Sequence, residues 1–356
     1  MPPVTTQAPP HRLATHPGGT YGADANGLIC GFRFIDHGRV EPIDTADAPR
    51  WLAQGSDGPP RAPGEFLWLH FNLGHAGAER WLREHAGLAE EFFDALHEGS
   101  RATRIERTLD SIFAVLNDVT YDFAFEASNV ATLWLAARHD LVITARRSPL
   151  RSVDRLRAAV ARGSHAVSSA ATLLEHLLRQ QADELQDIAR KAAERVDDME
   201  DRLLAGRAIG VAGELAQMRR MSVRLQRLLA PEPSALFRVL GNAPGWLREG
   251  DRQRLHQASE EFAVVMRDIG ALQERTKLLQ EESAARVAEQ NNRSLFTLTM
   301  VTVLALPINL ISGLLGMNVG GVPFGGEGHG FWIVVALIIV VTALIAQLAL
   351  RRLAPR

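Results

Sequence analysis

The chain has 356 residues, with 39 Lys and Arg against 41 Asp and Glu, a formal net charge of −2. That balance, with no basic stripe interleaved with aromatics, argues against nucleic acid as a partner. A single cysteine, Cys30, excludes an intrachain disulfide and a cysteine-based zinc finger, and fits a large domain in a reducing compartment.

Residues 1–19 are rich in Pro, Thr and His without an apolar run, which reads as a disordered tail and not as a cleaved signal. From 20 to 150 the pattern is mixed α/β. Strands are expected at Leu28–Ile35, Arg39–Ile43 and Phe66–Phe71, and a run of them at 104–109, 111–116, 130–136 and 141–145. Short helices are expected at 78–85 and 89–98, and the sheet is antiparallel or mixed. His70 and His75 are five apart, a spacing that makes no zinc site on a strand, so a structural role is expected for both.

Near Pro149 the character turns helical, and 151–250 forms a helical layer. Helices are expected at Ser152–Ala161, Ser168–Leu204 and Gly210–Leu229, the last ended by Pro231 and Pro233. The two longer ones make an antiparallel hairpin joined near Gly206. Asp183, Glu184, Asp187, Glu194, Asp197, Asp198, Glu200 and Asp201 crowd the far half of the first. Such a face is ordinarily solvated, and its sharper reading is a region that attracts cations.

A long stalk helix follows over 251–293, continuing into an apolar stretch. Leu255, Phe262, Ile269 and Thr276 share one register, and Ala258, Val265, Leu272, Leu279 and Val287 lie near it, the pattern of a helix packed on helices. Some 60 helical residues would span roughly 90–100 Å, too long for a globular domain.

Charge vanishes from Ser294 to Gly326 and again from Gly328 to Leu350. The segments 294–316 and 331–350 are each about one bilayer span, joined by an outer loop at 317–330 and followed by a tail at 351–356. Arg286 and Arg293 precede the first span, Arg351, Arg352 and Arg356 follow the second, and the loop has no Lys or Arg. The positive-inside rule therefore puts both termini in the cytoplasm of a multi-pass inner (plasma) membrane protein that has lipid as a partner. Two spans cannot enclose an aqueous path within one chain, so conduction requires several copies. On the first span, steps of three and four connect Asn292, Leu295, Thr299, Thr302, Leu306, Asn309, Gly313 and Gly316 into one face of amides, hydroxyls and small residues. Polar side chains at that depth face a water-filled path or serve as glue between helices. Glu327 and His329 are the only titratable groups of the loop, available to concentrate dications or simply exposed. No nucleophile–base constellation, phosphate-binding glycine loop or His-Glu metal helix is present, so no enzyme is read and no cofactor is expected.

The end of the first span runs Pro307-Ile-Asn-Leu-Ile-Ser-Gly-Leu-Leu-Gly-Met-Asn-Val-Gly-Gly-Val-Pro323. It resembles the CorA superfamily of divalent-cation transporters, whose mark is Gly-Met-Asn at this place, here Gly316-Met317-Asn318. The resemblance implies a homopentameric funnel: a cytoplasmic α/β domain, a stalk, and two transmembrane helices of which the first lines the pore. It also implies that Asn318 forms an amide ring at the outer mouth, holding a dication through its waters. By motif register the family's pore positions fall on Asn292, Leu295, Thr302, Leu306 and Asn309. Val319-Gly-Gly-Val-Pro323 after the motif, together with Phe66-Leu-Trp-Leu-His-Phe71 and Arg80-Trp-Leu82, is similar to the ZntB branch. That branch implies zinc uptake, with proton coupling proposed. A magnesium, cobalt or nickel channel is the alternative, and a membrane-anchored sensor without flux a second one.

Overall fold

A computed structural model describes residues 23–35, 39–57, 64–98, 102–108, 110–126, 129–164, 166–207, 210–317 and 329–353. The expected N-terminal tail, Asn318, Glu327 and most of the loop after the first span lie outside the described residues. The chain forms two compact units, Met1–Gln280 and Glu281–Arg356.

In the first unit, β1 (Leu28–Ile35), β2 (Arg39–Pro42), β3 (Phe66–Asn72), β4 (Arg104–Thr108), β5 (Ser111–Val119), β6 (Val130–Arg138) and β7 (Leu141–Arg146) make one sheet. The order is β2-β1-β3-β7-β6-β5-β4. All described pairings are antiparallel except β3 with β7, so the sheet is mixed, as expected. The central strand β3 reads Phe-Leu-Trp-Leu-His-Phe-Asn because both of its faces are covered, and such strands are apolar throughout rather than alternating. Phe66 and Trp68 enter one core with α4 (Arg151–Ala161) and the start of α5 (Ala170–Leu204). Leu67, Leu69 and Phe71 enter another with α1 (Ala48–Asp57), α2 (Ala76–His85) and α3 (Glu90–His97). Full burial of one such large side chain stabilises by about 1.5–3 kcal/mol.

The helical part has its own core. From α5 it takes Ile188, Val196 and Leu203, from α6 (Val211–Leu229) Leu215, Met218 and Leu225, and from α8 (Glu249–Leu315) Phe262, Ile269 and Leu272. Ser169 caps α5 by accepting from the Thr172 amide at 3.1 Å. The hairpin turns through Gly206, whose φ of +73° suits a residue without Cβ. Leu255, Phe262, Ile269 and Thr276 are each at most 1% exposed, so the expected stripe is the buried one. Val287 departs from it and is 48% exposed. Eight residues after Leu279, it lies roughly 80° round the helix.

Two helices escape the sequence reading. Helix α1 is short, and the long α6 is followed at once by α7 (Pro231–Gly241). Pro231 and Pro233 do stop α6, but a proline in the first turn also starts a helix, since that N–H has no intrahelical partner.

In the second unit, the remainder of α8 and α9 (Gly330–Leu353) are the two helices long and apolar enough to cross a membrane among the described residues. None of the apolar window of α8 is buried. Leu295, Leu298, Val301, Leu306, Phe331 and Trp332 are each 60% exposed or more, which requires a covering of lipid or other protein.

Candidate functional site

The uncharged part of α8 has two unlike faces. Met300, Leu304, Pro307, Ile311 and Leu315, at spacings of four, three, four and four, are half-buried. Asn292, Leu295, Thr299, Thr302, Leu306, Asn309 and Gly313 are exposed. At 100° per residue the two sets are centred roughly 150° apart. The polar face thus lies opposite the half-buried stripe, uncovered within the unit like the apolar flanks Leu298, Val301 and Leu310.

The threonines of this stretch turn inward on their own helix. Thr297 Oγ1 donates to the Arg293 carbonyl at 3.0 Å, Thr299 Oγ1 to Leu295 at 2.8 Å and Thr302 Oγ1 to Leu298 at 2.9 Å. With its proton used, each hydroxyl of Thr299 and Thr302 keeps lone-pair character, which suits the outward hydrogens of a hydrated cation. The same bonds satisfy a hydroxyl in hydrocarbon, so polarity alone does not define a pathway. Gly316 ends the helix, its N–H donating to the Ser312 carbonyl at 2.9 Å. A Cβ at that position would meet the same carbonyl oxygen at 2.9 Å, which accounts for the glycine of the motif. Met317 follows, 50% exposed. His329, exposed, stands at the start of α9, where its carbonyl accepts from the amides of Trp332 at 3.1 Å and Ile333 at 3.3 Å.

The same exposed face of α8 continues toward its N-terminal side through Ala288 and Ala284 to Glu281. Small residues every three or four positions ending on an acid carry no apolar signal, so a search for hydrophobic periodicity passes over them.

The acidic half of α5 is largely neutralised by arginine. Glu184, 1% exposed, pairs with Arg155 and, at 3.6 Å, with Arg151. Arg275 pairs with Asp197 at 2.6 Å and with Glu200, Arg190 with Asp187 and Glu194, and Arg202 with Asp198. Among the described residues no three His, Cys, Asp or Glu side chains converge as metal ligands.

His70 is fully buried in a network that occupies both ring nitrogens. Arg146 Nε donates to Nε2 at 2.9 Å, which puts the ring proton on Nδ1, 2.8 Å from Thr144 Oγ1. Trp68 Nε1 donates to that same oxygen at 2.8 Å, and Arg146 Nη2 reaches Asp154 at 3.2 Å. Burial, reinforced by the Arg146 charge, holds the imidazole well below the ordinary histidine range. A neutral histidine with both nitrogens engaged is a structural element and not a free metal ligand. His75 is structural too: its Nδ1 accepts from the Gly77 amide at 3.1 Å and caps α2. The Cys30 thiol is pushed up to about 12 by desolvation and is an inert packing group.

A mixed sheet, a layer of the four helices α4 to α7 and a helix that ends in an uncharged span closing on Gly316-Met317 define a membrane transporter architecture. The chain belongs to the family of CorA-like Mg2+ transporter proteins, whose model matches residues 63–352. It is a divalent-cation transporter of that family. It is 30% identical over 278 residues to the divalent cation transporter CmaX of Pseudomonas aeruginosa, a match covering 78% of this chain and 83% of that protein. It is 24% identical over 279 residues to the zinc transport protein ZntB of Pectobacterium carotovorum, covering 78% and 85%. The solved structure of full-length CmaX superposes with a TM-score of 0.76 at 27% identity, covering 94% of this chain and 99% of that one.

Proposed function

We propose that this protein takes up zinc into the cytoplasm through a homopentameric pore lined by the exposed polar face of α8. The carrying observation is that Asn292, Thr299, Thr302 and Asn309 lie opposite the half-buried stripe and stay uncovered within the unit. Five copies turning that face inward would bury its amides and hydroxyls around a hydrated cation and leave the apolar remainder to lipid. Leu295 and Leu306 would then be apolar rings that interrupt the wet path. Glu281 would add an acidic ring at the cytoplasmic end of the same face, and Asn318, with Gly316 and Met317, an amide ring at the outer mouth.

In this reading both termini are cytoplasmic and the membrane is the inner one, as the Arg286, Arg293, Arg351 and Arg352 flanks suggest. Residues 20–150 and 151–250 form the cytoplasmic part and 251–293 the stalk. Glu327 and His329 would concentrate dications at the mouth, and proton coupling would supply the driving force. Support for zinc comes from the Val-Gly-Gly-Val-Pro run after the motif and from the ZntB relatives. The family's description favours magnesium as a second reading. Oxygen ligands acting through hydration separate these metals poorly.

The test is flux into liposomes loaded with a zinc-sensitive dye. Zinc influx should be largely lost in Asn318→Ala. Absence of flux at any pH would sink the transport mechanism, and magnesium flux exceeding zinc would transfer the assignment. An imposed pH gradient should accelerate influx only if protons are coupled to it.

A further inference from the structure

Glu232 stands in the first turn of α7 and is 1% exposed. Neither of its carboxyl oxygens has a hydrogen-bond partner. The rest of α7 is packed in the apolar core of the sheet, where Ala235, Leu236 and Leu240 belong to one cluster with Ile105, Leu116 and Leu178. A carboxylate without donors in such a place carries an uncompensated charge, which proteins avoid by keeping the group neutral.

The charged groups on the elements around α7 are committed elsewhere or exposed. On β4, Arg104 holds Glu106 and Arg107 holds Asn242. On α8, Arg254 holds Glu175 and Asp251, and His256 lies against the Phe237 ring. On α5, Glu175 is bound by Arg179 and Arg254, and Glu184 by Arg151 and Arg155. On α6, Arg227 is exposed and Arg224 has its own partner; Arg238 of α7 is exposed. Asp118 of β5 is the charge that acts on Glu232, and it is the better anion of the two. It accepts from the Val119 amide at 2.8 Å, the Ser152 amide at 3.1 Å and Ser152 Oγ at 2.8 Å. Asp118 therefore ionises first and opposes ionisation of Glu232.

We propose that Glu232 is a proton-binding site that latches α7 onto the sheet: the packed protein carries it as the neutral acid, and loss of that proton releases α7. Burial first, and then the Asp118 charge, raise its carboxyl well above the ordinary range, in agreement with its burial and its lack of hydrogen-bond donors. The position on the N-terminal turn of a helix favours the anion, but only weakly against desolvation. Release has somewhere to go. Residues 242–248 connect α7 directly to the start of α8, and Ser259 Oγ of α8 donates to the Pro233 carbonyl at 3.5 Å, one residue from Glu232. The latch thus links proton concentration to the helix that carries the polar face.

The test uses the full-length protein in detergent micelles. Backbone hydrogen exchange of residues 231–241, corrected for the intrinsic pH dependence, is followed from about pH 5 to about pH 9. In the wild type protection should fall by up to about tenfold per pH unit once Glu232 titrates. Glu232→Gln and Glu232→Met should both make it flat, the second variant standing in if the amide does not fold. The infrared C=O band of a buried protonated carboxyl should be present in the wild type and lost in either variant. Wild-type pH dependence retained in both variants, or a carboxyl band above about pH 7, where Asp118 is ionised, that neither removes, would overturn the proposal.

Discussion

The two units treat polar groups in opposite ways. In the first, buried polar side chains are mostly matched from other elements: His70 by Arg146 and Thr144, Asp118 by Ser152, Glu184 by Arg151 and Arg155. In the second, Thr297, Thr299 and Thr302 find partners only on their own helix, and large apolar side chains stand exposed beside them. The first unit buries its apolar side chains in its own cores, while the second leaves most of its apolar side chains exposed, a surface that needs a covering of lipid or other protein. In the proposed pore, this span faces both hydrocarbon and a hydrated ion, and cannot satisfy either requirement alone.

That contrast can be broken at several points. The largest effect is expected from Phe262→Ala, in the helical core, which should destabilise the protein by about 3–5 kcal/mol in chemical denaturation. Leu298→Ala, on the exposed part of the second unit, should change it by less than about 0.5 kcal/mol. Equal losses would mean that the apolar span is packed internally after all.

A smaller effect concerns Asp118, whose carboxyl is raised by burial from 3.8 to about 6. A folded value above the unfolded one means that its contribution is fully present below about pH 4 and lost as pH rises through about 6. Denaturation across that window should show a decline of at most about 3 kcal/mol from this group, absent in Asp118→Asn. A slope that survives the substitution would assign the titration to another group. The smallest effect is Ser169→Ala, which removes the cap of α5 and should cost about 1 kcal/mol in the same assay.

Much of the fold was legible because its signals are local. Phe66–Phe71 announces a buried strand by composition, and β3 extends it by one residue to Asn72. The long α8 follows from heptad spacing, and both spans from the absence of charge. Helix α7 was not legible, because Pro231 and Pro233 mark a stop and a start alike and only packing against β4 and α6 selects the second. The polar face of the first span was found from spacing alone, but its opposition to a half-buried stripe needed the fold. Glu281 was passed over because it lies beyond the apolar run, and Glu232 because one acid between two prolines looks like a solvated turn.

The sequence by itself determined the class of this protein: two uncharged spans, a long amphipathic helix before them, and Gly316-Met317-Asn318 at the end of the first. These are properties of composition and period, which survive without tertiary contacts. Tertiary structure decided which polar residues are inert and which are poised. His70 and the acids of α5 drew attention in the sequence; Arg146 occupies a ring nitrogen of the neutral His70, and Arg151, Arg155 and Arg275 pair with the acids. Glu232 drew none, and is a buried carboxyl without a hydrogen-bond partner, which burial and Asp118 push well above its ordinary range. Charge compensation depends on neighbours distant in the chain, and only the fold brings those neighbours within reach or leaves them out.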